Sequence, residues 1–295
     1  MRTLCIGVLA LAMGVSATLA AQSSRGPQPQ ADEKGFTLYA EFQGSANSEI
    51  KVMKLDTSVG YNFNRRFGAD FGVPIYFARS SLPSSSGSSS NTGLGDAYLA
   101  LRFKTGNSAV NFASALTGYI PTGDTSKGLS TGRATFDWNN HLDHSFSRLT
   151  PFAEIGMGNT IVDSRQFTRP FTTLGFNTHF QLGASFDLRH SLSVGMAAYE
   201  VLPSGEQKVF SKVSGSGAAA SGAGSHGRVF ETNFQTTGTS DIARDNGFSA
   251  WLDASPSNYL DLELGFNRSV HYDLNTIAFT VGVNVGQLVK KANRH

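Results

Sequence analysis

The feature that most constrains the fold is a strict two-residue alternation between Met53 and Phe77. From Met53 to Phe63, every second residue is apolar or aromatic except for one threonine, and the residues between them are polar, charged or glycine. After three polar residues at 64–66, the alternation resumes at Phe67. Successive side chains of a β-strand point to opposite faces, so each half predicts a strand with one apolar face and one polar face. The short polar connection predicts an antiparallel hairpin.

The same alternation recurs along the chain and predicts twelve strands. They cover residues 36–43, 53–63, 67–77, 96–103, 110–120, 135–146, 151–160, 176–188, 192–201, 248–254, 260–266 and 277–285. Tight polar turns follow the even-numbered strands, whereas the connections after most odd-numbered strands are longer and rich in serine, glycine and threonine. Strands of roughly ten residues, an even strand count and alternating loop lengths are typical of outer-membrane barrels. We therefore expect an all-β, transmembrane, antiparallel up-and-down β-barrel of about twelve strands, with short periplasmic turns and longer extracellular loops.

The alternative is a secreted soluble β-sandwich, which would alternate in the same way but bury its apolar face. Sandwich strands are usually nearer to five or six residues, and their loops show no bias to one side. Strand length and loop asymmetry therefore favour the barrel. In a membrane barrel the apolar face meets lipid, and the polar face lines an aqueous lumen.

The chain divides into four predicted parts. Residues 1–21 read as a cleaved signal peptide, because a positive start precedes a short apolar run that ends in small residues. Residues 22–35 are a flexible lead-in, 36–287 form the barrel with a long loop at 203–246, and 288–295 are a basic tail. No later apolar run is long enough for a spanning helix, so any crossing must be made by strands. We expect the mature chain in the bacterial outer membrane of a Gram-negative cell.

Composition excludes several classes of function. The formal net charge is +2, which is too near neutral to predict nucleic-acid binding. The single cysteine, Cys5, lies in the predicted leader, so the mature chain would carry no disulfide, cysteine metal site or cysteine nucleophile. No cofactor and no metal are predicted. The expected partners are outer-membrane lipid, a small-molecule solute and the barrel-assembly machinery during insertion.

Two short motifs resemble a known family. Gly93-Leu94-Gly95-Asp96 opens the fourth strand, and Pro121-Thr122-Gly123-Asp124 follows the fifth, with Gly128 and Thr131-Gly132 close behind. This spacing resembles the outer-membrane barrel family catalogued as a putative MetA-pathway component of phenol degradation, which is described as transporter-like. The motifs cover about residues 93–140. The resemblance implies passage of small compounds, aromatic ones included, across the outer membrane, and it implies no catalytic residues.

The polar face supplies the candidate site residues. Its charged and histidine members are proposed to line the pore: Asp56, Asp70, Asp96, Arg102, Asp137, His141, Asp143, His179 and Asp187. Carboxylates dominate this face, and rings of charge set ion preference, so weak cation selectivity is expected. The open alternative is that these carboxylates pair with loop arginines and plug the barrel. The loop at 203–246 could also fold inward and gate the lumen.

One strand also carries residue types that catalyse hydrolysis in other proteins. His141, Asp143 and Ser145 share the polar face of one strand, which raises the possibility of a lipid-active barrel enzyme. Neighbours at alternate positions of a strand are nearly 7 Å apart, so they do not form a catalytic relay unaided. The sequence therefore predicts a non-enzymatic channel or transporter for passive uptake or diffusion of small molecules. A closed structural or adhesion barrel that displays its loops is the main alternative, and a lipid-active enzyme the third.

Overall fold

The computed structural model describes residues 34–47, 50–80, 90–107, 110–189, 191–213, 230 and 233–292, and nearly all of them are in β-structure or its connections. The strands are β1 Gly35–Ala46, β2 Ile50–Asn62, β3 Phe67–Ser80, β4 Ser90–Leu94, β5 Ala97–Gly106, β6 Asn111–Ile120, β7 Thr135–Asp143, β8 Leu149–Gly158, β9 Phe171–Leu174, β10 Asn177–Arg189, β11 Leu192–Pro203, β12 Gln207–Ser211, β13 Gln235–Gly238, β14 Asp245–Ser257, β15 Leu260–Ser269 and β16 Leu274–Asn284. The predicted signal peptide and most of the lead-in lie outside the described residues.

Twelve strands close into one antiparallel barrel. Each barrel strand pairs with its neighbour in the chain, β16 pairs with β1, and the β2–β3 pairing completes the ring. β4 pairs with the end of β3 and continues the line of β5, so the two segments act as one interrupted strand. β9, β12 and β13 form a separate three-stranded sheet in the loops. The predicted fold class is confirmed, including the strand count and the alternating polarity.

The two faces of the barrel wall differ in polarity as the alternation predicts. On β1, Phe36 is 80% exposed on the outer surface, whereas Glu41 and Gln43 are buried on the inner side. Met196 of β11 and Leu182 of β10 are likewise two-thirds exposed on the outside. The apolar side chains therefore form a continuous outer belt, and the polar side chains fill the interior.

The two ends of the barrel differ in their connections. At the short-turn end, the strands are joined by connections such as 63–66 and 144–148, and β1 begins and β16 ends there. At the long-loop end lie the connections 121–134, 159–176 and 204–244. A 3₁₀ helix, Thr125–Lys127, lies in the first of these and another, Ser240–Ala243, in the last.

An eight-residue helix, α1 (Val285–Ala292), follows β16. The sequence pattern extended the last strand through Val285 and gave 288–295 as a basic tail, so this helix was not predicted. None of the helices among the described residues has the length and apolar character needed to cross a membrane.

A small apolar core lies at the long-loop end, inside the mouth of the barrel. Phe171, Phe230 and Tyr272 pack with ring centroids 5.2–5.7 Å apart. Phe167 and Val209 are buried in the same cluster, at 1% and 2% exposure. We call this group the mouth cluster. It fixes the long loops to the wall and to one another, since burial of aromatic rings is among the largest stabilising contributions available to a side chain.

Candidate functional site: the divided lumen

Residues 160–170, in the connection between β8 and β10, cross the lumen, and we call them the crossbar. They leave β8 on one side of the barrel and contact β1 and β16 on the opposite side. The backbone N–H of Thr168 donates to Ser45 Oγ of β1 at 2.7 Å, and Thr280 Oγ1 of β16 lies 3.4 Å from the carbonyl oxygen of Arg165. The crossbar therefore divides the interior into two chambers.

Arg165 attaches the crossbar to the far wall. Its Nη1 lies 3.1 Å from Glu263 Oε2, with both side chains at least 96% buried, and Gln166 Nε2 donates to Glu263 Oε1 at 2.7 Å. Burial opposes the charged guanidinium, but Glu263, Glu41 and Asp253 together hold the pKa of Arg165 above its usual value. Arg165 is therefore charged at every physiological pH.

Asp163 forms the second attachment. Its Oδ2 accepts a hydrogen bond from Tyr76 Oη at 3.0 Å and lies 3.8 Å from Lys54 Nζ, and its Oδ1 lies 3.8 Å from Lys212 Nζ. Lys212 Nζ also donates to the carbonyl of Arg169 at 3.0 Å and sits 4.2 Å above the Tyr76 ring. Burial lowers the pKa of Lys212 to about 8, although Asp163 opposes the shift. Burial alone would raise the pKa of Asp163, but Lys212 and Lys54 bring it below its usual value.

The larger chamber lies between the crossbar and strands β1 to β7 and has a volume of about 150 Å³. Four of the eight tyrosines of the chain line it: Tyr39, Tyr76, Tyr98 and Tyr119, from β1, β3, β5 and β6. We call it the tyrosine chamber. Its wall thus combines aromatic faces with hydroxyl groups and with charged residues of both signs.

The smaller chamber lies between the crossbar and strands β8 to β15 and has a volume of about 60 Å³. His179, Tyr199 and Glu200 are among its lining residues, and we call it the histidine chamber. Tyr199 Oη lies within 3.4 Å of Asp245 Oδ2, which Arg169 Nη2 of the crossbar also contacts at 3.2 Å. Ion pairs and hydrogen bonds fill most of this side.

Several predicted pore-lining residues lie on the inner wall of the tyrosine chamber. Asp56 accepts a hydrogen bond from Tyr98 Oη at 3.1 Å. Asp70 and Arg102 form a two-pronged ion pair, with Arg102 Nη2 lying 3.0 Å from Asp70 Oδ1 and Arg102 Nε contacting Asp70 Oδ2. Asp187, in contrast, is exposed at the short-turn end of β10, away from both chambers.

A second group of predicted residues forms a buried network on β7, β8 and β10. His141 is 3% exposed and lies between Glu154 Oε1, at 2.9 Å from its Nδ1, and Asp143 Oδ2, at 3.3 Å from its Nε2. His179 Nε2 lies 3.0 Å from Asp137 Oδ1, and Asp137 is 1% exposed. These groups hold adjacent strands together through the inner side of the wall.

The two motifs that carry the family resemblance lie against each other. Asp96 Oδ1 accepts a hydrogen bond from the backbone N–H of Gly123 at 3.1 Å, and Thr122 Oγ1 accepts from the N–H of Ala97 at 2.8 Å. A Cβ at Gly123 would lie 2.9 Å from the carbonyl carbon of Gly95, which explains the need for glycine there. Asp96 therefore fixes the loop at the rim of the tyrosine chamber, besides being one of its lining residues.

His141 and Ser145 are not arranged as the base and the nucleophile that a lipid-active enzyme would need. Both ring nitrogens of His141 are directed at carboxylates, whereas Ser145 Oγ lies 3.0 Å from Thr150 Oγ1 in an exposed position. A nucleophilic serine needs its base within hydrogen-bond reach. Among the described residues, no group of three or more His, Cys, Asp or Glu side chains is arranged to hold a metal ion.

Sequence reasoning missed the crossbar and its cations. A two-residue period identifies inward-facing residues only on strands, so it does not reveal Arg165, Arg169 and Lys212, which lie in loops. The loop at 203–246 was the expected gate, and its residues Lys212 and Phe230 lie in the wall of the tyrosine chamber and in the mouth cluster. The segment that crosses the lumen comes from the preceding loop, and residues 214–229 and 231–232 lie outside the described residues. One signal was present: residues 161–171 combine three charges with two phenylalanines in a connection whose neighbours are mostly Gly, Ser and Thr.

Comparison with known proteins gives information about the fold. No family model matches the chain, and no curated protein sequence matches it. The structure is similar to the crystal structure of the COG4313 outer membrane channel from Pseudomonas putida F1, with 12% identity, a TM-score of 0.57, and coverage of 89% of this chain and 99% of that chain.

Two porins are more distant. The KdgM porin has 6% identity and a TM-score of 0.47, with 83% of this chain and 98% of that chain covered. The NanC porin has 7% identity and a TM-score of 0.44, with 84% and 98% covered. At this distance the two porins carry no argument. The likeness to the COG4313 channel agrees with a closed antiparallel barrel, and membership of the phenol-degradation family stays a prediction.

Proposed function

We propose that the chain is an outer-membrane channel through which small molecules diffuse passively. The observation that carries this proposal is the reversed polarity of the barrel, with large apolar side chains on the outside and buried ionisable groups inside. A belt of this kind suits a lipid environment, and a polar interior suits a water-filled lumen. The COG4313 protein of similar fold is named an outer membrane channel, which supports the same function here.

The proposed solutes are small and include aromatic compounds. The tyrosine chamber supports this, because Tyr98 and Tyr119 present adjacent rings with centroids 6.1 Å apart. Aromatic rings attract other rings in offset or edge-to-face arrangements, and tyrosine hydroxyls add hydrogen bonds. The resemblance to the phenol-degradation family agrees with this class, and we retain that family as a proposal.

Conductance of the purified barrel in a planar lipid bilayer tests the channel function. We expect stepwise openings in potassium chloride and uptake of small solutes into liposomes. Correctly folded barrels that insert but give neither openings nor solute flux would overturn the proposal. Heat-dependent mobility on a gel serves as the control for folding.

A matched pair of substitutions tests which chamber conducts. Tyr98→Ala enlarges the tyrosine chamber, and Tyr199→Ala removes the same side chain from the histidine chamber. We expect the single-channel conductance to rise in Tyr98→Ala and to stay near the wild-type value in Tyr199→Ala. An added aromatic carboxylate should reduce the potassium chloride current. A weaker reduction in Tyr98→Ala than in the wild type would support the passage of aromatic solutes through the tyrosine chamber.

A closed structural or adhesion barrel is the second candidate, and the mouth cluster favours it. Phe167, Phe171, Phe230 and Tyr272 are at least 95% buried across the long-loop end, where a solute would enter. A barrel that never conducts, but whose loops bind a surface or another cell, would support this candidate. Cell-adhesion assays with and without the chain at the surface distinguish the two functions.

A further inference from the structure

Arg165 meets the inner wall at a concentration of carboxylates. Asp253 of β14 and Glu263 of β15 are direct partners in the strand register. Glu41 of β1 lies nearby, and the charges of all three carboxylates act on Arg165. We call Glu41, Asp253 and Glu263 the acidic wall. It carries three formal negative charges, and among the described residues Arg165 is the one crossbar cation that contacts it.

The acidic wall is incompletely satisfied by hydrogen bonds. Glu41 is 3% exposed, yet its Oε2 has no hydrogen-bond partner among the described residues. Asp253 Oδ1 is in the same condition. Buried carboxylate oxygens that receive no hydrogen bond from the protein keep a strong local field. The electrostatic potential on this side of the lumen therefore depends strongly on the Arg165 guanidinium.

The other cations near the crossbar are engaged elsewhere. Arg169 contacts Asp245, which is fully buried on the histidine side. Lys212 and Lys54 both face Asp163 on the tyrosine side, and of the two only the Lys54 charge, from β2 of the wall, also acts on Glu41. Arg165 is thus the crossbar residue that neutralises the acidic wall.

The position of the crossbar has supports that do not involve the Arg165 charge. Phe167 is buried in the mouth cluster at 1% exposure, and the Thr168 N–H bonds to Ser45. Removing the guanidinium should therefore change the charge of the lumen more than its shape.

We propose that Arg165 determines the charge selectivity of the lumen by cancelling the field of the acidic wall. This rests on the proposed channel function, since selectivity has meaning only if ions pass. With Arg165 in place, the wild-type lumen discriminates weakly between cations and anions. Without it, the acidic wall attracts cations and repels anions in the lumen, and it acts on the tyrosine chamber through Glu41.

The test is the reversal potential of Arg165→Gln in a potassium chloride gradient. The cation-over-anion permeability ratio should rise roughly 25-fold, because the loss of one positive charge about 4 Å from the ion in water favours a cation about fivefold and disfavours an anion about fivefold. Arg165→Lys keeps the charge and should retain a ratio near the wild type. Arg268→Gln is the matched control, because Arg268 pairs with the exposed Asp273 at the long-loop end and lines neither chamber. A ratio in Arg165→Gln within error of the wild type, with normal conductance, would overturn the proposal.

A measurement without current separates this proposal from the channel function. Arg165→Gln should lower the urea midpoint of unfolding, and the double variant Arg165→Gln/Glu263→Gln should recover part of the loss, because the buried carboxylate is then neutral. If this coupling appears but even the wild type passes no ions, the channel function is wrong and the selectivity proposal falls with it. If every variant conducts with the same ratio, the channel function stands and the role of Arg165 is wrong.

Discussion

The two chambers on either side of the crossbar are built from different chemistry. The tyrosine chamber is lined by aromatic rings, of which Tyr98 and Tyr76 each donate a hydrogen bond to a carboxylate, Asp56 and Asp163. The histidine side consists of buried ion pairs and hydrogen bonds. His141, for example, lies between two carboxylates, Asp143 and Glu154. The tyrosine chamber encloses the larger volume and leaves space for a solute, whereas the buried pairs of the histidine side fix the wall. We infer that one half of the barrel serves passage and the other half serves stability.

The largest expected effect is a loss of stability when the mouth cluster, which holds the crossbar between the two chambers, is disrupted. Phe167→Ala should lower the free energy of unfolding by about 3–5 kcal/mol, since it deletes a buried ring from the mouth cluster and leaves a cavity. Urea unfolding in detergent, followed by tryptophan fluorescence, measures the change. Phe36→Ala is the control, because Phe36 is 80% exposed and lies at the opposite end of the barrel. Equal midpoints for the two variants would show that the mouth cluster does not stabilise the fold.

The second prediction concerns the histidine side. His141→Gln should lower the free energy of unfolding by about 2 kcal/mol. The glutamine amide can donate a hydrogen bond to Glu154 or to Asp143, and the other buried carboxylate then has no donor in its place. The single-channel conductance should stay near the wild-type value, since the network belongs to the wall. Unfolding and bilayer recordings on the same preparation check both statements. A large change in conductance with unchanged stability would reverse the assignment of the two halves.

Tyr98→Phe tests the tyrosine chamber with a smaller change. The variant loses the hydrogen bond to Asp56, which should cost about 1 kcal/mol or less because the site is partly open to water. The ring itself remains, so any preference for aromatic solutes should persist. Urea unfolding and solute competition measure the two effects. A loss of stability greater than that of His141→Gln would contradict the comparison of the chambers.

The barrel was predictable from the sequence, and the contents of its lumen were not. A strand imposes a period of two on its residues, so the stretch from Met53 to Phe77 already shows which side faces outward. The crossbar has no period. Its contacts join residues that are far apart in the chain, as Gln166 and Glu263 are, with a separation of 97 residues. Such pairs form because closure of the barrel places β15 opposite the loop after β8. A local sequence pattern cannot predict a contact between residues so far apart in the chain.

The same reason explains the partial success with the site residues. Asp70, Arg102 and His141 were recognisable because parity places them on the inner face of a strand. Lys212 was not, because no alternation governs a loop, and its partner Asp163 lies in a different loop. The net negative charge predicted for the lumen was therefore too large, because it did not include the cations that the loops place there. Loop cations change the expected selectivity more than any error in the strand assignments does.

The smallest expected effect follows from the pKa of Lys212, which burial lowers to about 8. Below that pH, Lys212 is charged and offsets Asp163, and above it the site becomes more negative. The cation-over-anion permeability ratio of the wild type should therefore rise as the pH increases from 6.5 to 9. The groups that act on Lys212 are Asp163, Lys54, Arg169 and Asp96. Asp163 stays charged across this range, because Lys212 and Lys54 hold its pKa below its usual value.

Lys212→Met is the matched variant for this pH dependence. It lacks the titrating group, so its permeability ratio should already be raised at pH 6.5 and should change little up to pH 9. The rise should be smaller than that of Arg165→Gln, because Lys212 shares Asp163 with Lys54, whereas Arg165 faces the acidic wall by itself on the crossbar. An equal pH slope in Lys212→Met and the wild type would assign the titration to another group. A permeability ratio at pH 6.5 that also equals the wild-type value would remove the tyrosine side of the crossbar from the ion path, because a charge that borders the path must affect the ions that pass it.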